Sequence, residues 1–173
     1  MMPASRRLFL AVAALQVLVI AGLTTSRELA LRSGTEVILE TAPVDPTDLF
    51  RGDYVVLSYE ISRIGVCEVP PGGTAYVPLR EGPNGVWRAG PFGPGVALAS
   101  FEDAAAETGV AIRGTVRSGR PFDRCRLDYG IESYFVPEGT GRAIERLREP
   151  FRVRVVIDAD GDAVIKELIL PEG

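Results

Sequence analysis

Apolar and polar residues alternate along most of the chain beyond residue 34. In the segment TEVILET, residues 35–41, Val37 and Leu39 alternate with Glu36 and Glu40, as expected of a strand with one buried face. The segment RGDYVVLSYEIS, residues 51–62, continues at the same period. From residue 53 it predicts a core strand that ends at residue 62. The residues predicted to form its buried face share one parity: Val55, Leu57, Tyr59 and Ile61.

Further short strands follow, separated by glycine and proline turns. Each prediction rests on period-two alternation bounded by turn residues. Two hairpins are predicted, the first with the segment EGPN at its turn and the second with Asp160-Gly161 at its turn. Pro78 implies that its strand lies at a sheet edge. The predicted strands cover residues 74–80, 85–90, 109–119, 125–139, 151–158 and 162–170.

Helical signals are fewer and shorter. Asp45, Pro46 and Gly52 have the order of an N-cap, a first helical residue and a stop, which predicts one helical turn. Residues 100–108 carry a weaker capping signal, and residues 140–149 fit a short helix. Many short strands with one helix in the C-terminal half indicate a mainly β fold, an antiparallel barrel-like or sandwich-like domain.

An uncharged, mostly apolar run over residues 8–25 follows Arg6 and Arg7. As a helix it spans about 26 Å, near the lower limit for crossing a bilayer. The positive-inside rule then places residues 1–7 in the cytoplasm. We predict a single transmembrane anchor over 8–25, a linker over 26–34, and an extracytoplasmic β domain over 35–173. A cleaved signal peptide is the alternative, and the lack of a clear small-x-small site favours a retained anchor.

The composition removes several classes of function. The 173 residues include no histidine, and this excludes the common zinc sites and Ser-His or Cys-His catalysis. They include a single lysine, Lys166. A net charge of −4 gives no support for nucleic-acid binding. The string DADGD, residues 158–162, lacks the distal glutamate of an EF-hand loop, and a hairpin turn explains it. No metal and no cofactor are predicted.

The two cysteines, Cys67 and Cys125, both lie beyond the apolar run. In an oxidising compartment they could close one disulfide, which for a loop of this length stabilises the fold by about 4 kcal/mol. Two unrelated thiols are equally compatible with their spacing, so both interpretations stay open. No CxxC pair is present, so thiol-exchange catalysis is not expected.

The segment GDYVVLSY, residues 52–59, has the order Gly-Asp-Tyr, two spacers, Leu, one spacer, Tyr, and resembles the pattern of the GDYXXLXY family. The preceding PVDPTDLFR and the later YGIESYFVPEGTGRAIE are similar to that family's two best-marked segments. The resemblance covers roughly residues 35–170. It implies a bacterial protein anchored in the cell (inner) membrane, with a multi-pass membrane protein as partner and no assigned reaction.

The two marked segments bring aromatic and charged side chains together. If they meet in the fold, these side chains would form a groove for a peptide, a glycan fragment or a neighbouring protein. Packing at one end of the sheet is the alternative. The candidate binding residues are Arg51, Asp53, Tyr54, Tyr59, Glu132, Tyr134 and Glu138.

Catalytic interpretations are weaker on the residues present. An envelope hydrolase would pair Asp53 with Glu138 or Glu132. A Ser-Lys peptidase needs a serine before the strand and a lysine base, and residues 42–56 contain no serine. The tripeptide RGD at 51–53 leads directly into a predicted strand instead of an exposed loop tip. We therefore favour a non-catalytic accessory or ligand-binding subunit of an integral membrane protein.

Overall fold

The computed structural model describes residues 4–42, 54–90, 95–136 and 150–171, and the chain divides into two compact units, residues 1–33 and 34–173. The first unit contains helix α1, Ala4–Ser33, which continues through most of the residues predicted as a linker. Good helix formers such as Glu28, Leu29 and Arg32 account for this continuation. Within the described ranges, no helix is identified as long and apolar enough to span a membrane.

The second unit is mainly β, which confirms the predicted fold class at that level. Its single described α-helix, α2, spans Phe101–Thr108 and is capped by Ser100, whose hydroxyl accepts a hydrogen bond from the Asp103 N–H at 3.4 Å. The described strands are β1 Thr35–Glu40, β2 Tyr54–Val56, β3 Arg63–Cys67, β4 Thr74–Glu81, β5 Trp87–Ala89, β6 Val96–Ala97, β7 Ala111–Gly119, β8 Asp123–Asp128, β9 Ser133–Phe135, β10 Arg152–Ile157 and β11 Ala163–Ile169.

The largest sheet nearly closes into a barrel. Its strand order is β5-β4-β7-β8-β3-β6. Directly after β6, Leu98 and Tyr76 of β4 exchange two backbone hydrogen bonds, each 2.8 Å long, so β6 returns to β4. A ring of five strands cannot be antiparallel at every junction, and β6 runs parallel to β3. The expected antiparallel pairing holds for the other described strand pairs of this sheet, and the β3–β6 junction is the exception.

A second sheet has the order β1-β10-β11, and all of its pairs are antiparallel. Val37 and Leu39 of β1 are buried, as the alternation predicted. Thr41 extends the pairing beyond β1, since its N–H and its hydroxyl both donate to the Phe151 carbonyl at 2.9 Å. Lys166 of β11 contacts Glu36 on the polar face, and this hydrogen bond lowers the pKa of Glu36 below its usual value.

The strand predicted over residues 53–62 is correct in its parity and wrong in its length. Strand β2 ends at Val56, and a 3-10 turn over Glu60–Ser62 precedes β3. The pairing with the β9 segment continues for one more residue, since the Leu57 N–H donates to the Glu132 carbonyl at 2.7 Å. The backbone changes partner only after Leu57. The Ser58 carbonyl then accepts from the Ala42 N–H at 2.8 Å, beside the end of β1. The four predicted inward positions, Val55, Leu57, Tyr59 and Ile61, are all buried.

Both predicted hairpins are confirmed, as β4–β5 and β10–β11. The edge position inferred from Pro78 is wrong, because β4 is paired on both sides. The Pro78 carbonyl accepts from the Gly90 N–H at 2.7 Å, on the side where the partner of β4 changes from Leu98 to β5. A residue without an N–H is tolerated at that change of partner. The helical turn at 45–52 and the helix at 140–149 lie outside the described residues.

Candidate functional site

The two marked segments meet in the structure. Strands β2 and β9 pair in antiparallel register, with Tyr54 opposite Phe135 and Val55 opposite Tyr134. Tyr134 is half-buried and packs against the main hydrophobic core. Three of the candidate binding residues, Arg51, Asp53 and Glu138, lie outside the described residues.

Two buried tyrosines join the segments through a reciprocal pair of hydrogen bonds. The Tyr59 hydroxyl donates to the Ile131 carbonyl at 2.8 Å. The Tyr129 hydroxyl donates to the Ile61 carbonyl at 2.5 Å. Each acceptor therefore lies two residues after the other tyrosine. We call Tyr59 and Tyr129 the reciprocal tyrosine pair.

Both phenols of this pair stay neutral over the physiological range. Burial raises the pKa of Tyr59 well above its usual value, and the nearby Glu132 carboxylate raises it further. The same two causes, in the same order, raise the pKa of Tyr129. The exposed fraction is 0% for Tyr59 and 6% for Tyr129, so neither hydroxyl is available to a ligand in solvent. Their geometry makes them donors to backbone carbonyls.

Glu132 holds the turn that follows β8. One of its carboxylate oxygens, Oε1, accepts from the Tyr129 N–H at 2.5 Å, and the other, Oε2, accepts from the Gly130 N–H at 2.9 Å. Gly130 has a φ of +80°, a conformation that side chains with a Cβ rarely adopt. The carboxylate thus satisfies two amides of a tight turn, and the backbone carbonyl of Glu132 accepts from the N–H of Leu57, directly after β2.

These contacts favour a structural junction over a reactive centre. A hydrolase carboxylate must face a cleft and exchange a proton with substrate or water. Both oxygens of Glu132 instead accept backbone N–H groups, and both tyrosine hydroxyls are buried. Within the described ranges, no group of side chains is arranged to hold a metal ion.

We expect Glu132→Gln to destabilise the β domain by about 1–2 kcal/mol, because an amide NH2 would replace one acceptor of a backbone N–H. Thermal unfolding followed by the fluorescence of Trp87, the single tryptophan, measures this change in the β domain. Glu60→Gln is the matched control, since Glu60 is exposed in the neighbouring 3-10 turn. Equal shifts for the two variants would show that charge, and not the turn contacts, matters.

Cys67 of β3 and Cys125 of β8 form a disulfide, with their Cα atoms 5.9 Å apart. Both side chains are buried in the core. The bond crosses a β-bulge, at which Gly65 and Val66 together lie opposite Arg124. Two neighbouring strands of the barrel-like sheet are therefore fixed to each other at this point.

A surface groove of about 390 Å³ lies over the same two strands and the end of β7, and it was not anticipated from the sequence. We call it the arginine groove, because Arg63 of β3 and Arg124 and Arg126 of β8 line it. The polar and backbone surface beside them comes from Gly65, Ser118 and Gly119. The segment RCR at 124–126 is the part of the sequence that indicates this groove, since two arginines of equal parity place their positive charges on one face of a strand.

Comparison with family models gives one finding. The model of the family described as GDYXXLXY protein matches residues 16–168, which includes both marked segments. No curated protein and no solved structure matches the chain.

Proposed function

Since this chain belongs to the GDYXXLXY family, we propose that it is a membrane-anchored, non-catalytic accessory or ligand-binding subunit of an integral membrane protein. The observation that carries the proposal is the reciprocal tyrosine pair. The second tyrosine of the family pattern, Tyr59, bonds to the other marked segment inside the core. Residues that define the pattern thereby build a rigid scaffold. Such a scaffold suits a protein that presents a binding surface to a ligand or a partner protein.

The position of Glu132 supports the non-catalytic part of the proposal. A general acid or base needs a carboxylate within reach of a substrate. Glu132 holds two amides of the turn after β8. The alternative hydrolase would have to place its chemistry on Asp53 and Glu138, outside the described residues, and no described contact favours it.

The proposed anchor is supported by the surface of α1. Eight large apolar side chains of this helix are between 48% and 71% exposed, and they occur on all of its faces. Exposed apolar surface of this extent is unfavourable in water and favourable in a bilayer. The eight side chains are Phe9, Leu10, Val12, Leu15, Val17, Leu18, Val19 and Ile20.

The disulfide supports the proposed orientation. Structural disulfides persist in oxidising compartments and are rare in the cytoplasm of mesophiles. A β domain that carries the Cys67–Cys125 bond is thus expected outside the cytoplasm, with residues 1–7 inside. This arrangement corresponds to a single-pass protein of the bacterial inner membrane with its domain in the periplasm.

A topology experiment tests the anchor. We expect alkaline phosphatase fused after Gly173 to be active, and a green fluorescent protein fused at the same point to be dark, because the C-terminus lies in the periplasm. The mass of the purified chain should include residues 1–25. A chain that begins after residue 25 would show a cleaved signal peptide, and the opposite reporter pattern would contradict the orientation.

Purification of the tagged full chain in several mild detergents tests the partner. We expect a multi-pass membrane protein to be recovered with the full chain and not with a control that ends at residue 34, which retains the apolar run without the β domain. If no such protein is recovered in any of the detergents, the accessory role is contradicted. The topology result would stand independently of that outcome.

A further inference from the structure

The arginine groove concentrates positive charge in a chain that is acidic overall. The net charge of the chain is −4, yet the three charged residues of the groove, Arg63, Arg124 and Arg126, are all basic. All three are exposed. Arg63 lies directly opposite Arg126 in the register of β3 and β8, and Arg124 lies two residues from Arg126 on the same face. Like charges directly opposite each other across a strand pair destabilise the sheet.

Several other arginines of the β domain have carboxylate partners. Arg113 lies 2.5 Å from Asp162, and Arg117 lies 2.7 Å from Asp128. These pairs show that the fold can place an acidic residue beside an exposed arginine. Within the described ranges, none of the three groove arginines forms a salt bridge.

A second cross-strand arginine pair gives the sharpest contrast. Arg80 of β4 lies opposite Arg88 of β5. There Glu40 approaches Arg88 at 3.6 Å and supplies an internal counter-charge. The Arg63–Arg126 pair has the same arrangement without such a carboxylate among the described residues, which makes an external anion a suitable counter-charge for it.

The backbone around the groove is irregular on both sides of β8. Gly65 and Val66 of β3 form a bulge opposite Arg124, and β7 has a bulge at Arg117, between Val116 and Ser118. Bulges are common beside binding sites because they change the direction of neighbouring side chains. The disulfide at Cys125 lies between the two arginines of β8 and fixes their strand to β3. The charged groups are thus held on a rigid base.

We propose that the arginine groove binds a phosphate group, carried either by a soluble phosphorylated molecule or by an anionic lipid headgroup. A guanidinium presents paired N–H donors that match phosphate oxygens, and the exposed Ser118 hydroxyl adds a neutral hydrogen-bonding group. A phosphate monoester carries a charge of about −1.5 to −2 near neutral pH, which offsets most of the charge of three arginines. A phosphodiester headgroup carries about one negative charge, as a carboxylate does, so for that source the match rests on the paired guanidinium donors. This binding site does not depend on the accessory role proposed above.

The full chain, purified in dodecyl maltoside, provides the test. Inorganic phosphate and short-chain phosphatidylglycerol are titrated separately at constant ionic strength, with sodium chloride as the matched salt. Calorimetry measures affinity, and Trp87 fluorescence measures the unfolding temperature. We expect at least one probe to bind and raise the unfolding temperature, and Arg126→Gln to weaken that binding about tenfold. Binding of phosphate identifies a soluble source, and binding of phosphatidylglycerol alone identifies a lipid headgroup.

Arg63→Gln separates binding from a structural role. Without ligand, we expect it to raise the unfolding temperature by about 1–3 °C, because it removes the repulsion with Arg126. It should also weaken the response to the probe. Arg152→Gln is the matched control, since Arg152 is exposed on β10 and carries the same charge.

Three outcomes would overturn the proposal. The first is no response of the wild-type chain to either probe. The second is an equal loss of binding in Arg152→Gln and Arg126→Gln, which would indicate diffuse electrostatics. The third is a lower unfolding temperature for unliganded Arg63→Gln, which would show that this arginine stabilises the sheet through contacts of its own.

Discussion

Replacement of both cysteines by alanine is expected to lower the unfolding temperature of the β domain by about 10–15 °C. The Cys67–Cys125 bond closes a loop between residues that are 58 positions apart. Closing a loop of that length in the unfolded chain stabilises the fold by about 4 kcal/mol. Fluorescence of Trp87 follows the transition selectively, because the single tryptophan lies in the β domain.

A reducing agent distinguishes the stability contributed by the disulfide bond from that contributed by the packing of the two side chains. Added to the wild-type chain, it should produce most of the same shift, and it should leave the double-alanine variant unchanged. The variant also loses two buried sulfur atoms, Sγ of Cys67 and of Cys125, so its shift should be the larger one. Identical unfolding temperatures for the wild-type chain with and without reductant would contradict a stabilising disulfide.

Exchange of both members of the reciprocal tyrosine pair for phenylalanine is expected to destabilise the β domain by about 2–5 kcal/mol. Tyr59→Phe leaves the buried Ile131 carbonyl without its donor, and Tyr129→Phe does the same to Ile61. Each single change should cost about 1–3 kcal/mol. A double-mutant cycle measures their coupling, which we expect to be favourable because both bonds hold the same two segments together.

The same pair makes the β domain sensitive to alkaline pH. Burial raises the folded-state pKa of Tyr59 and Tyr129, so in the unfolded chain both ionise near pH 10 while in the folded chain they keep their protons. The stability they contribute is complete below pH 10 and is lost as the pH rises above it. The slope for two such groups reaches about 2.7 kcal/mol per pH unit.

Unfolding in urea between pH 8 and pH 11 measures this slope. We expect the free energy of unfolding of the wild-type chain to fall steeply above pH 10, and that of the double-phenylalanine variant to fall less. Tyr134→Phe is the matched control, since Tyr134 is only half-buried on β9. Parallel curves for the wild-type chain and the double variant would show that other groups control alkaline unfolding.

Period-two alternation predicted the strands and their buried faces, because each strand places one face against the core. It correctly assigned Val37 and Leu39 of β1 to the interior. It did not predict the end of β2 at Val56, because the inward parity persists through Tyr59 while the backbone changes partner. A change of hydrogen-bonding partner leaves no trace in the spacing of apolar residues.

Long-range register accounts for what the sequence did not reveal. The parallel junction of β3 and β6 follows from closure of a five-stranded ring, and no local pattern encodes it. Arg63 and Arg126 became neighbours only through the register of β3 and β8. For the candidate site, sequence reasoning left open whether the two marked segments meet, and the pairing of β2 with β9 shows that they do. The structural use of Glu132 depends on amides whose orientation only the folded turn determines.

The pairing of the first strand with the tenth has a consequence for folding during synthesis. Thr41, at the end of β1, is bonded to Phe151, which lies 110 residues later. At a synthesis rate of about 5–20 residues per second, the first strand waits roughly 6–22 s for its partner. During that time its apolar face is without its final cover, and an unpaired strand edge is prone to aggregation. The first-made strand of the domain therefore passes through a long interval in which its edge is open to wrong pairing.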